Sequence, residues 1–179
     1  MSSDKEKEIG VQGVMPAGDI PPVIENNRKL KDCTYANTDR FNFNNKIFEA
    51  KVVKVYDGDT ITVVFMIYGD YYKFSIRMDG YDSPEMKSKN PDLAKKELEK
   101  LWAIKSRDFL AGMIMDKIVL LKCKDFDKYG RILGTVELNG MDINGIMLER
   151  GYCRTYGGGH KYDWDFSGFE KMFLKNKAN

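Results

Sequence analysis

One histidine and three cysteines among 179 residues leave little material for two large groups of chemistries. His160 stands beside a glycine run, where a loop residue is the default, so catalysis by paired histidines lacks its parts. Cys33, Cys123 and Cys153 are odd in number, far apart and free of any CxxC pair. That argues against a zinc site and a disulfide framework, and for reduced thiols. Neither sign of charge dominates: 29 basic residues face 27 acidic ones. A net charge of +2 is too small for a general nucleic-acid coat, so any such contact has to come from a local cluster. No apolar run approaches the ~18 residues of a membrane span. The opening MSSDKEKEIG has no apolar core of a secretory leader. An intracellular protein without a membrane partner is the expectation, and a monomer. No segment repeats, which disfavours a solenoid.

The order along the chain is legible from periodicity. Residues 1 to about 30 are polar, hold Pro16, Pro21 and Pro22, and show no period. Together with the irregular, turn-rich stretch KDCTYANTDRFNFNN they read as a partly disordered arm over 1–45. KIFEAKVVKVY, TITVVFMIY and YYKFSIRM alternate and are rich in β-branched residues, predicting a three-strand meander. Asp57-Gly58 predicts the first turn as type I′, which needs φ > 0 at both central residues. Tyr68-Gly69-Asp70 predicts the second turn. From Asp92, a candidate N-cap, to about Met115 the pattern is helical, with Leu98, Leu101, Trp102, Phe109 and Met113 on the apolar stripe. KIVLLKCKDF and RILGTVEL predict two more strands. INGIMLER predicts a short helix capped by Asp142 and ended by Gly151, and residues 166–175 a last helix. The class is α+β, mainly β: a five-stranded OB-type Greek-key barrel with about three helices over 46–179.

Asp59 follows the predicted turn but is not needed by it. Arg77 ends the third strand in FSIRMDG, Asp82 and Glu85 lie in DSPE, and DKYGR (127–131) joins the fourth and fifth strands. Taken singly, each has an ordinary explanation: a solvated strand-edge arginine, a turn before a helix, a hairpin loop with Gly130 in the left-handed region. Taken together they are three acids and two arginines at strand ends of one barrel. Carboxylates with a carbonyl are hard oxygen ligands suited to Ca²⁺ or Mg²⁺. Two guanidinium groups can grip a phosphate bidentately. A cation, an acid to hold water and two arginines are the apparatus of phosphoryl transfer.

DGDT, then R-x4-DSPE, then DKYGR, on this strand pattern, resembles the staphylococcal (thermonuclease-type) nuclease family, over about residues 46–156. The resemblance implies an OB-fold, Ca²⁺-dependent phosphodiesterase that cleaves DNA and RNA to 3′-phosphate ends. It implies Asp59 and Asp82 as metal carboxylates, and Ser83 as a ligand through its carbonyl where the family usually has Thr. Glu85 matches the acid that holds the attacking water, and Arg77 and Arg131 the phosphate-binding arginines. Lys128 and Tyr129 match residues that hold a terminal phosphate, and Tyr156 is the candidate base-stacking tyrosine. GYCRTYGGGHKYDW departs from the family's pattern there, and the arm has no counterpart in the minimal enzyme. The competing reading is an OB module that binds nucleic acid or protein without cleaving; filled acid and arginine positions favour the enzyme. A structural Ca²⁺ site fits less well, because its ligands are few. Replacing either Arg77 or Arg131 is expected to abolish most turnover and leave the fold intact.

Overall fold

Three alternating runs fold as the meander that their pattern predicts, in a computed structural model that describes residues 30–166. β1 (Ile47–Val55) pairs antiparallel with β2 (Thr60–Ile67), and β2 with β3 (Asp70–Met78). On β2, Ile61, Val63 and Phe65 face inward and are fully buried, as a strand with one wet face requires. A two-residue bridge, β4 (Tyr81–Asp82), leads to α1 (Leu93–Ile114), β5 (Ile118–Phe126) and β6 (Ile132–Leu138). β5 pairs with both β1 and β6, and β6 runs parallel to β3, closing a five-stranded barrel. β7 (Met141–Asp142), α2 (Ile143–Glu149) and β8 (Arg154–Thr155) complete the described elements. The helix expected over 166–175 lies almost wholly outside the described residues, as do residues 1–29 of the arm.

The chain divides into two compact units, the second starting at Phe41. In the first, the described residues form a 3₁₀ turn, Leu30–Asp32, and a turn in which the Thr34 amide donates to the Asn37 side chain. In the second, Phe43 is buried and meets Phe48, Phe65 and Phe74 edge-on, closing one end of the barrel with aromatic packing.

The turns correct part of the sequence reading. The type I′ signature lies at Tyr68-Gly69, with φ of 52° and 89°, in the two-residue link between β2 and β3. Neither Asp57 nor Gly58 has a positive φ. The β1–β2 loop is wider, closed by Tyr56 N–H donating to Thr60 O at 2.9 Å. Gly58 is required there by crowding. A Cβ would overlap Ser106 Oγ on α1 and lie 2.8 Å from the Cβ of Ser83. Gly58→Ala is expected to destabilise the protein by about 1–3 kcal/mol in chemical denaturation, and Ser106→Gly in the same chain to recover part of the loss. Unchanged stability in Gly58→Ala would contradict the close approach.

The two helices are fixed at their ends by side chains and glycine. Asp92 caps α1, accepting from the amides of Ala94 and Lys95. The buried face of α1 is shifted from the predicted stripe: Glu99, Trp102, Ser106, Leu110 and Ile114 face in, while Leu101 is half exposed. Two polar residues lie on that face: Glu99 accepts the Glu85 amide, and Ser106 packs against Gly58. Asp142 occupies the N-cap position of α2 but makes no capping hydrogen bond; its carboxylate lies beside Gly145 instead. Gly151 (φ 71°) ends α2 as expected, with Tyr152 N–H donating to Met147 O and Gly151 N–H to Leu148 O, a Schellman pair. Buried Asn144 donates to Asp79 O and Gly134 O and accepts from Val136 N–H, fixing the corner after β3.

Candidate active site

The loop after β1 delivers its two acids inward. Asp57 accepts the amide of Asp59 at 3.1 Å, and Tyr81 donates its hydroxyl to Gly58 O, so the loop is held from inside and across the barrel mouth. Asp59 is thereby buried, and its Oδ2 accepts the Ser83 amide at 2.9 Å. Its Oδ1 accepts the Thr60 hydroxyl.

Arg77, across from Thr60 in the β2–β3 register, bridges the two predicted carboxylates. Its Nη1 is 2.6 Å from Asp59 Oδ2 and its Nη2 is 3.2 Å from Asp82 Oδ1. Arg77 is 7% exposed and Asp82 0%, so the ordinary reading of Arg77 as a solvated edge residue fails. The Nη1 contact with Asp59 is an ion pair without an aligned hydrogen bond. Burying such charges costs several kcal/mol each, and replacing them with apolar side chains is often neutral or stabilising. Stability alone therefore gives a poor account of why they are here.

The DKYGR loop reaches the same place. Asp127 Oδ1 accepts the amides of Tyr129 and Arg131, and Gly130 takes a φ of 78°. Asp127 Oδ2 accepts Arg131 Nε at 2.7 Å. Burial raises the Asp127 pKa, but the hydrogen bonds from Arg131 and Tyr129 outweigh it and the net shift is down. So held, Arg131 donates through Nη1 to the Thr60 hydroxyl at 3.1 Å. One chain of contacts thus runs Arg131–Thr60–Asp59–Arg77–Asp82. Lys128 and Tyr129 are exposed on the tip of the loop, with the Lys128 ammonium 5.1 Å from the Tyr129 ring centroid. Tyr156 donates its hydroxyl to Gly159 O and its amide to Gly80 O.

The other end of this chain of contacts is not legible in the sequence. β8 pairs with β4 in the register Asp82↔Arg154, which sets Arg154 Nη2 3.1 Å from Asp82 Oδ2. The guanidinium lies 4.0 Å over the Trp164 ring. Lys161, beyond the glycine run, places its ammonium 2.7 Å from Asp82 Oδ1 and 2.6 Å from Glu85 Oε1. Burial lowers the Lys161 pKa, but Asp82 and Glu85 more than reverse this and hold it up. Glu85 is half exposed at its carboxylate, and its amide donates to buried Glu99 on α1. Asp57, assigned from sequence to the turn, is buried. That burial, with the charge of Asp59 beside it, pushes its carboxyl up to about 7. No three acids, histidines or cysteines among the described residues form a ready cage for a metal.

So Arg77, Asp82, Asp59, Ser83, Glu85 and Arg131 converge on one mouth of the barrel, Lys128 and Tyr129 stand on the adjoining loop, and Tyr156 directs its hydroxyl elsewhere. Arg154, Lys161 and Glu99 join them with no sequence signal beyond their charge.

Comparisons with known proteins bear on the family. The family described as "Staphylococcal nuclease homologue" matches residues 75–178. An uncharacterized protein of Methanocaldococcus jannaschii is 28% identical over 163 residues, covering 81% of this chain and 77% of that protein. An uncharacterized endonuclease of Escherichia coli is 34% identical over 108 residues, covering 59% of this chain and 60% of that protein. A staphylococcal-like nuclease of Arabidopsis thaliana is 32% identical over 84 residues, and the chain spans 22% of its length.

Proposed function

The chain belongs to the staphylococcal nuclease family, and from that premise we propose that it is a calcium-dependent nuclease that hydrolyses phosphodiester bonds of DNA, RNA or both. The observation that carries the proposal is the shared guanidinium: one buried arginine within 3.2 Å of two carboxylates, Asp59 from the β1–β2 loop and Asp82 from β4.

Asp59, Asp82 and the carbonyl of Ser83 would hold Ca²⁺. The donor set is all oxygen, and this chain's own cations already collect at it: Arg77 between Asp59 and Asp82, Lys161 between Asp82 and Glu85. When bound, Ca²⁺ supplies Lewis-acid polarisation of the phosphodiester. Glu85 holds a water in line and accepts its proton as the water oxygen bonds to phosphorus. Arg77 and Arg131 donate to the phosphoryl oxygens as charge gathers on them. The bond from phosphorus to the 5′-oxygen breaks and the departing oxygen takes a proton from solvent, leaving a 3′-phosphate and a 5′-hydroxyl. Lys128 and Tyr129 bind a flanking phosphate, and Tyr156 is left as a base-stacking candidate.

The test is incubation with single- and double-stranded DNA and RNA in Ca²⁺, Mg²⁺ or a calcium chelator. Cleavage in Ca²⁺ that chelator abolishes supports the proposal; intact substrates under all conditions contradict it. The second reading, binding without cleavage, is favoured by one observation: Lys161 already neutralises Asp82 and Glu85. The nuclease reading requires that ammonium to yield. Lys161→Gln is therefore expected to tighten Ca²⁺ binding at least about tenfold in calorimetry, since an ammonium and a divalent cation ~4 Å apart repel by about 2 kcal/mol even at the dielectric of water. Equal or weaker Ca²⁺ binding would assign Lys161 to the static structure.

A further inference from the structure

We propose that the outer face of β1, β2 and β3 is a track along which an extended single strand of nucleic acid leaves the candidate site, an inference that rests on the nuclease reading. The registers set out the track row by row. Thr60 and Arg77 are paired at the site end. The next outward row is Lys54, Thr62 and Ser75, and the one after it Lys51, Val64 and Lys73. Met66 and Tyr71 form the last. Alternate residues of β2 lie inside, so these rows share the outer face. Successive rows are two residues apart on β2 and β3, about 6.8 Å along the strand, and three apart on β1 where its register shifts; that is about twice the 3.4 Å rise per nucleotide of a B-form strand, which suits an extended one.

The chemistry along the track suits that ligand. Lys51, Lys54 and Lys73 are exposed, and none is in an ion pair among the described residues. Lysines elsewhere on the barrel's outer strands are paired, as Lys122 is with Glu137. Lys54 lies 5.8 Å from the ring centroid of half-exposed Tyr56, beside the site loop. The far end leads into an open groove of about 630 Å³ whose lining is apolar, with Ile47, Val64, Met66 and Tyr71 among it, apart from Glu49 and Lys51. A run of phosphates would follow the lysines and a base would lie against Met66 and Tyr71. The three lysines, continuous with the two arginines, select a polyanion for the track; within the groove itself Lys51 offsets Glu49, and the apolar lining offers a surface for a base.

The probe is a set of fluorescein-labelled oligothymidylates from two to twelve nucleotides, with binding followed by anisotropy in calcium chelator and cleavage followed separately in Ca²⁺. The triple variant Lys51→Gln, Lys54→Gln, Lys73→Gln is compared with a helix control, Lys95→Gln, Lys96→Gln, Lys100→Gln, after thermal melts confirm that both fold. Wild-type affinity is expected to rise with length and then level off. The track variant is expected to lose at least about tenfold on the longest probe and nothing on the dinucleotide. Its salt slope should fall by about 2, at ~0.7 per phosphate contact on a single strand. A track variant that keeps wild-type length dependence and salt slope, or an equal loss in the helix control, overturns the track while cleavage by wild type still stands. A wild-type protein that neither binds nor cleaves any probe overturns the track and the nuclease reading together.

Discussion

Arg131→Ala lowers kcat on a nucleic-acid substrate by about 10²–10³-fold, equivalent to roughly 3–4 kcal/mol, with the fold unchanged. The expectation follows from how the side chain is held. Asp127 fixes the guanidinium from behind through Nε and Nη2, which aims its remaining donors at Thr60 and the barrel mouth. The side chain is 27% exposed, so the ion pair it gives up is worth no more than about 1 kcal/mol. Asp127 keeps the amides of Tyr129 and residue 131, so the loop keeps its shape. Lysine at this position restores charge but not the planar fork and is expected to recover only a small part of kcat. Steady-state kinetics with a parallel thermal melt checks this: unchanged kcat, or a loss of activity that tracks a loss of folded protein, contradicts the role.

Arg77→Met gives the second large effect, and it differs in kind. Sequence alone predicts that the two arginines behave alike. The structure separates them, because Arg77 is buried and shared by Asp59 and Asp82. Its removal leaves two buried carboxylates facing each other. Breaking a buried pair by deleting one partner costs about 3–5 kcal/mol. Asp82 retains Arg154 and Lys161, and Asp59 retains the Ser83 amide, so the lower end is expected, near 3 kcal/mol and a melting temperature lower by about 10 °C. Activity falls by at least the factor expected for Arg131. Adding Asp59→Asn to Arg77→Met removes one of the two stranded charges and is expected to return part of the stability but none of the activity. A fully stable Arg77→Met contradicts the buried bridge.

Most of the barrel is legible in the sequence because its strands obey a period of two and its turns use glycine. What misleads is a local cue serving a different end. Asp57-Gly58 looks like a type I′ turn, yet the glycine is there for the approach of α1 and the aspartate for holding the loop from inside. The stripe on α1 misleads for a related reason: Glu99 faces inward to accept the Glu85 amide and Ser106 to pack against Gly58, and polarity gives no hint of either. The acids and arginines of the motifs are legible as a set because each lies at a strand end. Arg154 and Lys161 are not. Arg154 reaches Asp82 only through the β4–β8 register, and Lys161 only through the path the chain takes after three glycines, two of them with positive φ. Long-range register of two-residue strands leaves no periodic trace in the chain.

Cleavage of a short oligonucleotide in ¹⁸O-labelled water, with Ca²⁺ present and with Ca²⁺ chelated, tests the central claim most directly. The predicted result is Ca²⁺-dependent cleavage in which mass spectrometry finds one labelled oxygen on a 3′-phosphate and none on the 5′-hydroxyl. Label on a 5′-phosphate, a 2′,3′-cyclic phosphate from RNA, or cleavage undiminished by chelator would contradict an attack by Glu85-held water at a phosphodiester gripped by Arg77 and Arg131.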